Sequence, residues 1–331
     1  MNIYPWHEAF WLDLLKQQRD WPNALLLKGR KGIGKQVFGL ALAQYLLCET
    51  PAGQACGKCP GCLWFMSGNH PDFRLIEPAV LSEADAEIEE KKKEKAQSHQ
   101  ISIEQVRELD DFINLTSHRN GYKVILIHPA EAMNPHAANA LLKTLEEPPG
   151  KTIFILVTHK PQRLALTIIS RCRAVALPAP SRDAGLRWLQ EQGIQDAESA
   201  LSQTGDAPLG ALAANSSEYQ RRQFLEQIST AQLNPLAVAE NVLHYPLEDV
   251  VNWLQKWVCD IAYFKFAGKI RYHLDYAKKL QRLAEKTGAM GLMHYYRELL
   301  AAQRAVQHPL NPRLVLEQLA LSYCHLVLKN E

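Results

Sequence analysis

Two apolar runs, Val124 to Ile127 and Ile153 to Val157, are rich in β-branched residues and do not alternate with polar ones. Such runs suit strands of a parallel sheet covered on both faces. Between them Asn134 offers an N-cap, and Pro135 has a φ already suited to the first helical position. Ala138, Leu141, Leu142 and Leu145 recur at i, i+3, i+4 and i+7, which paints one apolar stripe, and Pro148-Pro149-Gly150 stops the helix. Strand, helix, strand predicts a right-handed βαβ unit with functional residues at the carboxyl ends of the strands. Those ends carry His128 and Thr158-His159, and the segment closes with Ser170-Arg171-Cys172.

A second motif precedes this unit. Ala24 to Lys28 is a short apolar strand, followed at once by Gly29-Arg30-Lys31-Gly32-Ile33-Gly34-Lys35 and a helix through Val37, Leu40, Ala41 and Tyr45 to about Leu47. A P-loop needs this context: glycines that let backbone N–H groups approach phosphates, a lysine for the β/γ-phosphates, then a helix N-terminus. The pattern ends in Ser or Thr, but here Gln36 stands in that place and lacks the hydroxyl that ligates Mg²⁺.

Four of the seven cysteines crowd into C-x7-C-x2-C-x2-C, formed by Cys48, Cys56, Cys59 and Cys62 with Gly57, Pro60 and Gly61 among them. Thiolates at this density can surround one Zn²⁺, and Gly and Pro allow the tight turns. An iron–sulfur run is the competing reading, but there the fourth ligand comes downstream and near a proline. Zinc is expected, in a structural site with no open position; a brown sample would overturn it.

At 331 residues, two or three domains are expected. Lys plus Arg (37) against Asp plus Glu (35) leaves a net charge of +2, which argues against wrapping nucleic acid by charge alone. No apolar run reaches the roughly 18 residues of a membrane span, and Met1-Asn2-Ile3-Tyr4-Pro5 is no signal peptide, so a cytoplasmic protein without membrane partners is expected.

Along the rest of the chain, Tyr4 to Arg19 predicts an amphipathic helix through Trp6, Phe10, Trp11, Leu14 and Leu15. Phe73 to Ile76 reads as a strand, Ser82 to Ser98 as a charged insertion, and Ile101 to Leu115 as a helix. Ala174 to Leu177 is a closing strand and Pro178-Ala179-Pro180 a linker. From Ser216 onward only helical periods occur: Tyr219 to Ile228, Pro235 to Leu243, Leu247 to Phe266, Tyr276 to Lys286, Met290 to Val306 and Arg313 to Leu328, the last capped by Asn311-Pro312. The aromatic series Trp253, Trp257, Tyr263, Phe264 and Phe266 is expected to be packing.

The string NALLKTLEEPP, Asn139 to Pro149, followed by Ser170-Arg171-Cys172, resembles the clamp-loader ATPase-fold subunits of bacterial DNA polymerase III, members of the AAA+ class. The resemblance implies an α/β P-loop-type domain with a parallel sheet over residues 1–178, a small helical lid over 179–214 and an all-α oligomerisation collar over 215–331. The domain would carry a four-Cys zinc module at about 48–62 and the charged insertion at about 80–100.

In the motor subunits of that family, Asp-Glu follows the strand and holds Mg²⁺; here His128-Pro129 stands there. Their lid arginine motif, G-x-x-R, corresponds to Gly205-Asp206-Ala207-Pro208. The resemblance further implies that Arg171 is a finger acting in trans on a neighbour's ATP, a task that suits a permanently charged bidentate group.

The expectation is therefore the stationary member of the DNA polymerase III holoenzyme's clamp loader, not itself catalytic. Nucleotide binding at Gly29, Gly32, Gly34, Lys35 and Gln36 is doubtful. Its partners would be the motor and delta subunits, with the sliding clamp and primed DNA reached through the complex. The rival is a motor-type ATPase with a degenerate site using Lys35 and Glu131; an independent zinc module binding nucleic acid is disfavoured by the lack of a basic cluster at residues 44–70.

Overall fold

The computed structural model describes the chain except for residues 1, 18–19, 82–97, 119–120, 231–232, 307–310 and 329–331. The expected insertion therefore lies almost wholly outside the described residues. The chain divides into two compact units, Met1–Pro180 and Ser181–Glu331.

The first unit is built on five parallel strands: β1 (Ala24–Lys28), β2 (Phe73–Ile76), β3 (Lys123–Ile127), β4 (Thr152–Thr158) and β5 (Arg173–Ala176), in the order β2-β3-β4-β1-β5. The runs that lack alternation become β3 and β4, buried at every position. Helices α1 (Glu8–Gln17), α2 (Lys35–Leu47), α3 (Pro60–Met66), α4 (Ile103–Asn114), α5 (Pro135–Glu146) and α6 (Leu166–Ile169) complete the unit.

Successive side chains of a strand enter opposite layers. Leu25, Leu27, Val124, Leu126, Ile155 and Val157 pack with Trp11, Leu14, Phe38 and Leu42 of α1 and α2. Leu26, Ile125, Ile127, Phe154 and Leu156 pack with Val106, Leu109, Leu141 and Leu145 of α4 and α5. Fully burying one such side chain contributes about 1.5–3 kcal/mol, so these two layers fasten the sheet to the helices on both of its faces.

Helix ends follow local chemistry. Asn134 Oδ1 accepts the Ala137 N–H at 2.8 Å, with Pro135 at the first helical position. Ser102 and Gln105 form a reciprocal capping box on α4, and buried Lys123 of β3 donates to the carbonyls of Phe112, Ile113 and Leu115 at its far end. The stripe on α5 is centred differently from the expected one: Ala137, Leu141 and Leu145 are buried, while Ala138 and Leu142 pack at its edge. Both alanines are apolar, and only the sheet beneath selects between them.

The second unit contains helices throughout its described residues: α7 (Arg182–Glu191), α8 (Ala197–Gln203), α9 (Pro208–Ala214), α10 (Glu218–Ile228), α11 (Pro235–Asn241), α12 (Leu247–Ala267), α13 (Ala277–Lys286), α14 (Ala289–Ala305) and α15 (Pro312–Leu328). Leu189, Ile194, Ala197, Leu201 and Ala211 form a small cluster among α7, α8 and α9. A larger core gathers around Trp257, Tyr295 and Tyr323.

Trp257 Nε1 donates to the Tyr323 hydroxyl at 2.8 Å, and that hydroxyl donates to the Ile228 carbonyl at 3.2 Å. Of the aromatic series expected to be packing, Trp253 and Trp257 are buried, whereas Tyr263 and Phe266 are exposed because the last turns of α12 rotate them outward. No helix among the described residues is long and apolar enough to cross a membrane.

Candidate functional site

The loop between β1 and α2 turns on Gly32 and Gly34, whose φ values of 80° and 93° lie where side chains with a Cβ are strained. Gly34 is the N-cap of α2 and leaves the helix's first N–H groups without a side-chain cap. Over this end lies the N-terminal segment. A Cβ at Gly34 would stand 2.3 Å from Tyr4 Cδ2. Tyr4 stacks on Trp6 with ring centroids 4.9 Å apart, and Trp6 Nε1 donates to the Ile33 carbonyl at 2.9 Å.

Lys35, the residue a phosphate would recruit, is buried and turned back onto its own loop. Its ammonium donates to the Gly29 carbonyl at 2.8 Å and to the Arg30 carbonyl. Burial pushes its pKa down to about 8, against the pull of Glu131. Gln36 follows, half-buried, with an amide where a hydroxyl would be needed.

The carboxyl ends of β3 and β4 bring His128 and His159 together, their rings edge to face at 5.3 Å. His128 offers imidazole nitrogens, whereas magnesium takes oxygen ligands. Burial pushes His128 down to about 4, with Glu131 opposing and Lys35 assisting. The same cause, burial, brings His159 and His7 down to about 4. At neutral pH all three imidazoles are uncharged.

Glu131 is the acidic side chain that acts on Lys35, but its Oε1 accepts the His159 backbone N–H at 3.0 Å. It thereby holds the start of the loop after β4, while its buried Oε2 has no hydrogen-bond partner among the described residues. His7 was not visible as part of this cluster in the sequence. It comes from the turn before α1, with Nε2 at 3.3 Å from the Pro178 carbonyl, and no local pattern links residues so distant.

The four cysteines converge as their spacing predicts. All four sulfurs lie within 4.8 Å of one another, with Cys48 to Cys59 at 4.0 Å and Cys56 to Cys62 at 3.9 Å. A tetrahedron with metal–sulfur bonds of about 2.3 Å has edges of about 3.8 Å, so one ion fits this set. Backbone N–H groups of Cys56, Cys59 and Cys62 point at the sulfurs of Cys48, Cys56 and Cys59, at 3.2, 3.3 and 3.4 Å.

Those donors favour thiolates. The N–H groups of Lys58 and Cys59 draw Cys56 down to about 5, while burial pushes Cys62 up to about 12. The cluster bears directly on the P-loop helix: a Cβ at Gly61 would come within 2.6 Å of the Leu47 carbonyl, at the end of α2.

Arg171 follows α6. Its Nε donates to Glu146 Oε1 at 2.6 Å, Nη2 pairs with the same oxygen, and Nη1 donates to the Thr167 carbonyl at 3.0 Å. Burial pushes the neighbouring Cys172 thiol up to about 11, which favours its protonated form at neutral pH. In the second unit, Asp206 takes φ 64° and its carboxylate accepts from Arg182 at 2.8 Å, while Pro208 opens α9. Position 208 therefore carries no cation.

Residues 10–181 match the family described as DNA polymerase III, delta subunit, and residues 217–324 match the one described as DNA polymerase III, delta subunit, C terminal. DNA polymerase III subunit delta' of Pseudomonas aeruginosa is 35% identical over 98% of this chain and 98% of its own length. The Escherichia coli protein of the same name is 34% identical over 69% of this chain and 65% of its own. Among solved structures, a DNA polymerase III gamma subunit-related protein of Thermotoga maritima shares the fold, with a TM-score of 0.51 at 19% identity over 95% of this chain and 99% of its own. With a relative matched end to end and both units matched to family descriptions, the chain belongs to the delta-prime family of DNA polymerase III clamp-loader subunits.

Proposed function

We propose that this subunit hydrolyses no nucleotide itself and donates Arg171 to the ATP site of a neighbouring motor subunit, while the clamp loader places the sliding clamp on primed DNA. Its direct partners are the motor ATPase subunits and the delta subunit; clamp and DNA are reached through the complex, in the cytoplasm. Residues 179–214 act as the lid and residues 215–331 as the collar that holds the ring together.

The observation that carries this reading is the engagement of Lys35 by the carbonyls of Gly29 and Arg30. Those bonds occupy two of the ammonium's three donors and turn it toward its own loop. Support comes from the loss of each Mg²⁺-binding group: Gln36 for the hydroxyl, neutral His128 for the carboxylate. Arg171 keeps the chemistry of a finger, since its guanidinium remains charged and partly exposed.

Cys48, Cys56, Cys59 and Cys62 hold Zn²⁺ in this reading. When bound, the ion supplies a cross-link and no open coordination position, because all four ligands are thiolates. The chain's own part is to fix the loop that carries Cys56 and Cys59 to the end of α2.

The test is the DNA- and clamp-stimulated ATPase of the reconstituted complex, with this subunit as wild type or Arg171→Ala. A loss of about 1.4 kcal/mol or more in transition-state stabilisation, tenfold in rate, is expected with assembly intact. An unchanged rate means Arg171 is structural. ATP turnover by the isolated chain at about one per second would sink the non-hydrolysing assignment.

A further inference from the structure

We propose that Glu146 is the positioning residue of the arginine finger: its carboxylate clamps Arg171 so that the N–H groups left over are presented to the neighbour's triphosphate. The proposal rests on the reading that Arg171 acts in trans.

A guanidinium has five N–H donors. Glu146 Oε1 takes the one on Nε and one on Nη2, and the Thr167 carbonyl takes one on Nη1. One N–H remains on each Nη. Free arginines sample many rotamers, and catalysis by a finger falls with every orientation that does not point at the developing charge. Three bonds from two elements, α5 and α6, restrict that sampling before a neighbour docks. The side chains are 30% exposed for Arg171 and 50% for Glu146, so the clamp lies at the surface where a partner can meet it.

Local energetics do not explain the carboxylate. Glu146 is the last residue of α5, where the helix dipole disfavours negative charge. It is also well anchored: Leu145 beside it is buried in the core, and the helix stops at once before Pro148 and Pro149. An acidic group held on a rigid helix end, unfavourable there by itself, is accounted for by the arginine it orients. An exposed ion pair contributes little to folding, so its effect should appear in rate and hardly in stability.

The experiment measures stimulated ATPase in the reconstituted complex for wild type, Glu146→Ala, Glu146→Gln, Arg171→Ala and the Glu146→Ala/Arg171→Ala double variant, with assembly checked by gel filtration. Glu146→Ala is expected to lower kcat by about threefold or more with KM for ATP unchanged, and to add nothing in the Arg171→Ala background. Glu146→Gln should recover part of the loss, because its amide oxygen still accepts from Nε. If Arg171→Ala lowers kcat and Glu146→Ala does not, the positioning role is overturned and the finger stands. An equal loss from Glu146→Ala in both backgrounds also overturns it, since Glu146 would then act without Arg171. If Arg171→Ala has no effect, the finger fails and this proposal with it.

Discussion

Lys35 donates its ammonium protons to the carbonyl of Gly29, 2.8 Å away across the loop that in a nucleotide-binding relative would cradle phosphates. The loop carries its glycines and lysine, and in this structure the lysine bolts the loop to itself. Lys35→Met keeps the apolar stem and removes the donor, leaving the part-buried carbonyls of Gly29 and Arg30 without this partner. The expected cost is about 1–3 kcal/mol. Urea denaturation of the isolated chain measures it, and a midpoint equal to wild type would mean that the bolt is not closed in solution.

Acid should loosen the same cluster. His7, His128 and His159 are held near 4 in the folded chain by burial, against an ordinary value of 6.5. Between those values the unfolded chain binds protons that the folded chain refuses, so stability is full above about 6.5 and falls as pH drops toward about 4. For His7, which is fully buried, the loss across that window is on the order of 3 kcal/mol. Denaturation midpoints at pH 7 and pH 5 test this. His7→Gln should flatten the difference, and an identical pH slope in that variant would refute the assignment.

The cysteine cluster predicts one zinc per chain by elemental analysis. Cys59→Ala removes a ligand and an N-cap of α3 together, since Cys59 Sγ also accepts the Cys62 N–H. Metal content should fall to near zero, and proteolysis within residues 49–60 should rise. Full zinc retention in Cys59→Ala would show that the ion lies elsewhere.

In the second unit, Asp260 is fully buried and accepts backbone N–H groups from Arg271, Tyr272 and His273 as well as contacting His273 Nδ1 at 2.9 Å. This one carboxylate holds the connection between α12 and α13. Asp260→Ala takes the acceptor from those donors, the buried His273 N–H among them, at an expected cost of about 3–5 kcal/mol. Thermal unfolding of the purified chain would show it, and a shift of less than a degree or two would mean that water satisfies the loop instead.

Much of the architecture was legible in the residue order because its causes are local. Absent alternation marked β3 and β4 as doubly covered strands, Asn134-Pro135 marked the start of α5, and the cysteine spacing marked a metal-sized cluster. Gln36, His128 and Pro208 were equally plain, since a residue's identity at a given position is read directly from the sequence.

What tertiary structure decided is which groups already have partners. Whether Lys35 faces a phosphate or its own carbonyls, whether Glu131 is free or holds the His159 N–H, and whether Arg171 is loose or clamped by Glu146 all depend on contacts between residues brought together by the sheet. His7 joins His128 and His159 around Lys35 only because the chain brings the two distant ends of the first unit together, His7 against Pro178. A hydrogen bond depends on a few tenths of an ångström and on direction, and no periodicity along the chain encodes either.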